Sequence, residues 1–324
     1  MPELPAIEVY AEHVARRFAG RVLARVRLAS PFLLRTALPP ISLCEGRRLL
    51  GVSRLGKRIV FELEHELFLV LHLMVAGRLR LADAGAPLPK KLGLCSLDFD
   101  EGALVVTEAG SKRRASLHVA ERAGLAEFDR GGLDVRSASQ RAFDEAATRR
   151  RHTLKRALTD PTLFDGIGNA YSDEILHAAR LSPIKHTTAL SAEERARLRE
   201  ACRAVLVDWT ERLRRDHGAE FPSKVTAFRP GMAAHGRYRQ PCPICQTPIA
   251  RIVYADNETN YCPTCQTDGK LLADRSMSRL LGSDWPRPWE ELEELRPGAI
   301  GKPNPGRVTR EPSSAKRAKK APAG

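Results

Sequence analysis

Residues 164–176 read FDGIGNAYSDEIL, a Gly-Ile-Gly turn at 166–168 that runs straight into Asn169 and an amphipathic stretch. Glycines ahead of a helix let backbone N–H groups come close to an anion, and the helix dipole favours negative charge there. The segment therefore predicts a turn, then a helix, then an anion at the helix N-terminus. On its own a Gly-x-Gly-Asn turn specifies no chemistry, and the sequence on either side has to supply it.

Downstream, Ser191 and Glu194 form the S-x-x-E pattern of a capping box. Leu198, Cys202, Val205, Trp209 and Leu213 follow as one apolar stripe, which predicts a helix with a buried face to about residue 215. Residues 221–240 read as a loop. CPICQTPIARIVYADNETNYCPTC then sets Cys242, Cys245, Cys262 and Cys265 in a C-x2-C-x16-C-x2-C array. Two residues between thiolates let one tight turn present both sulfurs to one ion, and two such knuckles close a tetrahedral zinc site. No position is left for water, so a single structural Zn2+ is expected, carried on a β-hairpin formed by the β-branched linker.

Upstream, Ile7, Tyr10, Val14 and Phe18 recur at helical spacing, with Gly20 as a stop. Pro2 and Pro5 before them look like a poor way to begin a packed element, since proline has no backbone donor. Between residues 20 and 120 come short apolar or alternating runs such as VLARVRLAS, KRIVFELE, ELFLVLHL and ALVVTEAG, separated by Gly, Pro or charges. That spacing predicts a β-sandwich or barrel. Gly131-Gly132 breaks the pattern, and helical sequence follows. The fold class is thus α+β: a β-rich domain preceded by a helix, a helical domain, and a zinc hairpin. The expected boundaries are 1–131, 132–236 and 237–270, with a short extension at 271–301 and a disordered basic tail at 302–324.

The chain has 324 residues, 53 Lys and Arg against 39 Asp and Glu, and a formal charge of +14. An excess of that size points to a polyanion, nucleic acid first and an anionic membrane second. The longest apolar run, LFLVLHLMVAG, is about half the length a membrane span needs. No basic-then-apolar secretion signal opens the chain, and the seven Cys are not arranged as a disulfide framework, so a cytoplasmic protein is expected. Seven basic residues and one acid between Lys302 and Lys320 leave two readings of the tail, a solubilising segment without further role or a non-specific electrostatic hand on DNA.

Five motifs in order carry a resemblance: PELP at 2–5, GKR around Lys57, HL…GRLR around His72, GIGNAYSDE at 166–174, and YCPTCQ at 261–266. Over residues 2–268 the sequence resembles the formamidopyrimidine-DNA glycosylase and endonuclease VIII family, helix–two-turn–helix enzymes of base excision repair. The resemblance implies that the helical domain is of that type. It implies a bifunctional DNA glycosylase and abasic-site lyase, with Pro2 as the nucleophile once Met1 is removed and Glu3 as the catalytic acid. It further implies Lys57 as the family's strand lysine, and His72 and Asn169 as grips on the DNA backbone near the lesion. Damaged double-stranded DNA is the implied partner, with abasic and single-stranded DNA left open, and the chain is expected to be a monomer.

The chemistry is consistent with those residue types. An α-amine titrates at about 7.7–8.0, so part of it is neutral at physiological pH where lysine is not. A secondary amine that attacks C1′ displaces the base and yields an iminium directly. That electron sink acidifies the 2′ hydrogen and permits β- and then δ-elimination. Glu3 protonates the opening sugar ring as a general acid.

Departures from the family pattern fall on the lesion reader. Guanine-type members have Glu where this chain has Ala6, and Met where it has Val75, with Met74 just before. The aromatic wedge loop is replaced by TEAGSKRRASL, which keeps Arg113 and Arg114, and the zinc-finger Arg that holds phosphate becomes Asn257. These changes predict that 8-oxoguanine in duplex DNA is a poor substrate beside an abasic site. Two other readings are a catalytically inactive damaged-DNA-binding protein on the same scaffold, and a zinc-ribbon RNA-binding protein. Retention of Pro2, Glu3 and Lys57 disfavours the first. An aromatic content of 6% disfavours the second.

Overall fold

The computed structural model describes residues 1–272 except Ser111, Lys224, Ala227, Ala255 and Asp256. The basic tail and nearly all of the expected extension before it lie outside the described residues.

The first helix, α1 (Leu4–Phe18), starts earlier than the apolar spacing suggests, with Pro5 in its opening turn. The first N–H groups of a helix have no intrahelical partner, so a proline there loses nothing and its fixed φ suits the turn. The expectation of a poor start is therefore corrected. Eight strands follow: β1 (Val22–Leu28), β2 (Arg47–Leu55), β3 (Arg58–Leu63), β4 (Leu67–His72), β5 (Gly77–Ala82), β6 (Gly93–Phe99), β7 (Gly102–Glu108) and β8 (Ser116–Glu121). They pair antiparallel in the order β5-β7-β6-β1-β2-β3-β4-β8. Only Val22↔Arg48 and Leu23↔Arg47 join β1 to β2, and at that narrow hinge the sheet folds into the two layers of a sandwich. Ile7, Tyr10, Val14 and Phe18 of α1 enter the same core as Leu23, Phe61, Leu71, Phe99 and Leu117.

The helical half contains α2 (Gln140–Thr148), α3 (Leu154–Thr159), α4 (Asn169–Ala178) and α5 (Ala192–His217). Ser191 and Glu194 make the reciprocal capping box at the start of α5. Leu198, Cys202, Trp209 and Leu213 are buried along its inner face, with Val205 partly so. Most of this stripe packs with α2–α4 in a second core. The two cores exchange residues. Leu4 of α1 lies in the helical core, whereas Leu213 of α5 and Val225 lie in the sandwich core. Beyond the loop at 221–240 come β9 (Ala250–Tyr254), β10 (Asn257–Tyr261) and the short α6 (Pro263–Thr267). β9 and β10 pair antiparallel, from Asn257↔Tyr254 to Tyr261↔Ala250. None of the described helices is long and apolar enough to cross a membrane.

Candidate active site and zinc centre

The N-terminus of α4 does hold an anion, but that anion belongs to the chain. The Glu3 carboxylate, 3% exposed, accepts hydrogen bonds from the amides of Gly168 (2.7 Å), Ala170 (2.9 Å) and Tyr171 (3.2 Å). Gly168 is the N-cap and has no side chain to satisfy the first turn, so a carboxylate from the other end of the sequence takes the capping role. The anion that the turn predicts is therefore present, supplied from within the chain. The glycines of the turn answer to close approach. A Cβ on Gly168 would lie 2.5 Å from Glu3 Cδ and 2.8 Å from Lys57 Nζ. Gly166 has φ +73°, and a Cβ there would meet Leu4 Cβ at 2.7 Å. The Leu4 amide completes the stitch by donating to the Gly166 carbonyl at 3.0 Å.

Lys57 occupies the turn between β2 and β3 and brings its amine to the same place. Burial pulls its pKa below the usual lysine value; Glu3 and Asp165 oppose that, and Lys155 adds to it. The turn is braced by Arg54, which donates to the Gly56 carbonyl at 2.8 Å and pairs with Glu8 (3.2 Å), Asp134 (3.1 Å) and Asp165 (2.5 Å). Pro2 is buried beside Glu3. The terminal amine, on Met1, has its pKa lowered from 8.0, chiefly by burial; Glu3 opposes the shift, and Arg78 and Lys57 reinforce it. Pro2, Glu3, Lys57 and the 166–171 turn thus form one cluster.

His72 ends β4. Its Nδ1 accepts the Met74 amide at 2.9 Å. Burial, followed by the charges of Arg58, Lys57 and His118, lowers its pKa to about 4. The ring is therefore neutral at physiological pH, and its remaining N–H is on Nε2. Met74, at φ +52°, and Val75 lie on the next turn; Val75 is the more exposed at 58%. Arg113 and Arg114 stand apart, exposed on the loop after β7. Arg113 donates to the Lys91 carbonyl at 2.6 Å, and the Arg114 amide donates to Glu108. Asn169 begins α4, and its Nδ2 donates to the Glu258 carbonyl of β10 at 3.0 Å, fastening the hairpin to the helix. Asn257 is exposed at the start of β10.

Several residues were not singled out from sequence. Asp173 and Glu174 look like the polar face of a helix but are buried. Glu174 accepts the amides of Ala233, Ala234 and His235 at 2.7–2.8 Å. Asp173 takes Lys155 Nζ at 2.5 Å and His235 Nδ1 at 2.8 Å. Arg229 has a buried Nη2 with no hydrogen-bond partner among the described residues, and its charge acts on Tyr10 and Tyr171. Arg78 is bonded to the Val75 and Gly77 carbonyls and pairs with no carboxylate among the described residues. The only sequence signal for Arg78 is its place in GRLR.

The four cysteine sulfurs lie within 4.8 Å of one another. Cys242 and Cys262 are buried, and Cys245 and Cys265 half-buried. Backbone amides point at the sulfurs, Ile244 to Cys242 and Cys265 to Cys262, each at 3.4 Å. The set fits one structural zinc, with every ligand position taken by sulfur.

Family models match in the same order as the structure: the formamidopyrimidine-DNA glycosylase N-terminal domain over residues 1–115, its H2TH domain over 133–215, and the zinc finger found in FPG and IleRS over 239–267. The formamidopyrimidine-DNA glycosylase of Acidothermus cellulolyticus is 34% identical over 286 residues, spanning 82% of this chain and 97% of that protein. An uncharacterized formamidopyrimidine-DNA glycosylase-like protein of Mycobacterium tuberculosis is 44% identical over 128 residues, 40% of this chain and 79% of that one. Among solved structures, MutM (Fpg) of Thermus thermophilus aligns with TM-score 0.71 at 31% identity, over 82% of this chain and 98% of its own. The Lactococcus lactis enzyme bound to abasic-site DNA aligns with TM-score 0.72 at 22% identity, over 82% and 99%, a likeness of fold alone.

Proposed function

The chain belongs to the formamidopyrimidine-DNA glycosylase family, and from that premise we propose that it is a base-excision DNA glycosylase that also cleaves abasic sites through an amine at Pro2. The observation that carries this reading is the cluster at the start of α4. There Glu3 is fixed by three amides, Pro2 is buried next to it, and Lys57 Nζ approaches the same turn.

With Met1 removed, Pro2 presents a secondary amine. The burial and positive charges that lower the pKa of the Met1 amine lie one residue away, and acting on Pro2 they would enlarge its neutral, nucleophilic fraction at physiological pH. Attack on C1′ forms the N–C bond as the bond from C1′ to the base breaks, and the departing base leaves with its electron pair. The proton that the Pro2 nitrogen sheds on attack passes to the Glu3 carboxylate and from it to the ring oxygen of the sugar, C1′–O4′ opens, and the product is an iminium. Loss of the 2′ proton then expels the 3′ phosphate, and a second elimination expels the 5′ phosphate. His72, neutral with an N–H on Nε2, and the cationic side chains of Lys57, Arg78 and Arg229 are suited to the substrate's phosphate and carbonyl oxygens.

Substrate preference follows from what the site lacks. Ala6 is buried and has no acceptor to offer a base edge. Val75 is shorter than the family's Met and less able to fill the gap left by a flipped base. Abasic sites and already unstacked lesions in damaged duplex DNA should therefore be processed better than paired 8-oxoguanine.

Borohydride trapping on abasic and damaged duplexes tests the assignment. A covalent adduct mapping to residue 2 is expected; an adduct mapping to Lys57 or any other lysine would overturn it.

A further inference from the structure

His177 stands in the last turn of α4, 2% exposed. Its Nε2 lies 3.2 Å from Cys242 Sγ. Four thiolates around one divalent ion leave net negative charge on the sulfurs, and buried charge must be met by donors. Cys242 is fully buried, so water does not supply them. Its neighbour in the knuckle, the Ile244 amide, is one donor at 3.4 Å. The imidazole is a second and closer one, and it comes from a different element of the fold. A metal-bound thiolate carries no hydrogen, so the ring nitrogen facing it has to carry one.

We propose that His177 is a positioning residue of the zinc centre, donating its Nε2–H to the Cys242 thiolate and so holding that ligand on the metal. The other ligands are served differently. Cys245 and Cys265 are open to solvent on one side, and Cys262 receives the Cys265 amide within its own knuckle. Cys242 alone among the four relies on a side chain from the helical domain among the bonds described. A ring that only filled space here would need no nitrogen at Nε2. A cation placed only to complement the dipole at the end of α4 would not have to face sulfur.

The test uses the full-length, zinc-loaded protein with three variants. His177→Gln keeps an N–H donor near the Nε2 position, His177→Met is close to Gln in shape but has no donor, and His177→Phe keeps a ring without nitrogens. Zinc transfer to a chromophoric chelator should be about 10–100-fold faster for the Met and Phe variants and near wild type for Gln, the range expected when the outer partner of a metal ligand is lost. In cobalt-substituted protein, the thiolate-to-metal charge-transfer band should move in Met and Phe but not in Gln. The Gln/Met pair decides the matter even if the Phe variant does not fold. Equal release rates and unshifted bands for Gln and Met would overturn the proposal. No readout involves DNA, so the result stands apart from the repair function.

Discussion

Glu3 and Gly168, 165 residues apart in sequence, share a hydrogen bond of 2.7 Å, and the space between them has no room for a methyl group. Gly168→Ala should therefore displace the Glu3 carboxylate and Lys57 Nζ together. Single-turnover excision should fall by about a hundredfold or more, as expected when a catalytic group is misplaced by about 1 Å. Circular dichroism and zinc content should stay near wild type. Wild-type turnover in this variant would mean that the carboxylate is not held for chemistry.

The lowered pKa of the terminal amine sets a pH dependence. Burial, Arg78 and Lys57 lower the pKa of the Met1 amine from 8.0. The same surroundings acting on Pro2 after Met1 is removed would lower that of its amine too, so adduct formation should decline as pH falls through that lowered value. Removing a nearby positive charge raises that value. The acid limb of the trapping rate in Arg78→Met should therefore move to higher pH. A limb that stays in place, or moves to lower pH, would show that Arg78 does not act on this amine.

His72, its pKa lowered to about 4 chiefly by burial, is a neutral donor throughout the pH range around neutrality. His72→Leu should weaken binding to damaged and undamaged duplex alike, yet leave the slope of log affinity against log salt unchanged, because no counterion-releasing charge is lost. A change of about one unit in that slope would show a protonated ring on phosphate.

Replacing all four zinc-site cysteines by serine should abolish DNA binding while leaving the sandwich core folded. Metal-dependent folding energy is confined to the segment that holds the ion, and Asn169 loses its anchor on Glu258 when the hairpin goes. Titration of duplex DNA alongside thermal melting would separate the two effects. Full affinity without zinc would end this expectation.

On matched oligonucleotides, abasic-site cleavage should outpace excision of 8-oxoguanine opposite cytosine under single-turnover conditions. Equal rates would show that Met74, one residue from Val75, serves as the wedge after all.

What the sequence made legible was local. The cysteine array, the capping box at Ser191 and the alternating strands each depend on residues within a turn or a strand of one another, and spacing alone expresses them. Pairings across the chain were not legible. The 166–168 turn signals an anion, but nothing in it says that the anion is Glu3. Glu174 reads as a solvent-facing acid because its partners, the amides of residues 233–235, lie about 60 positions away in a stretch with no periodic pattern. Pro5 misled for a different reason, since the penalty for proline inside a helix disappears in the first turn. His177 gave no signal, because a histidine near a helix end is ordinary and its sulfur partner comes 65 residues later.

The stitch between the first residues and the 166–171 turn also imposes a timetable. In the finished fold Met1 is half-buried and Pro2 and Glu3 are buried, a poor substrate for any peptidase. If Pro2 is to become the terminal amine, Met1 leaves most easily before this stitch has closed. At about 5–20 residues per second, the turn emerges on the order of ten to thirty seconds after the terminus does. In the proposed mechanism, those seconds are the period in which Pro2 is most accessible to become the terminal amine. In that mechanism, a chain that kept Met1 would carry every residue of the site and still lack the secondary amine.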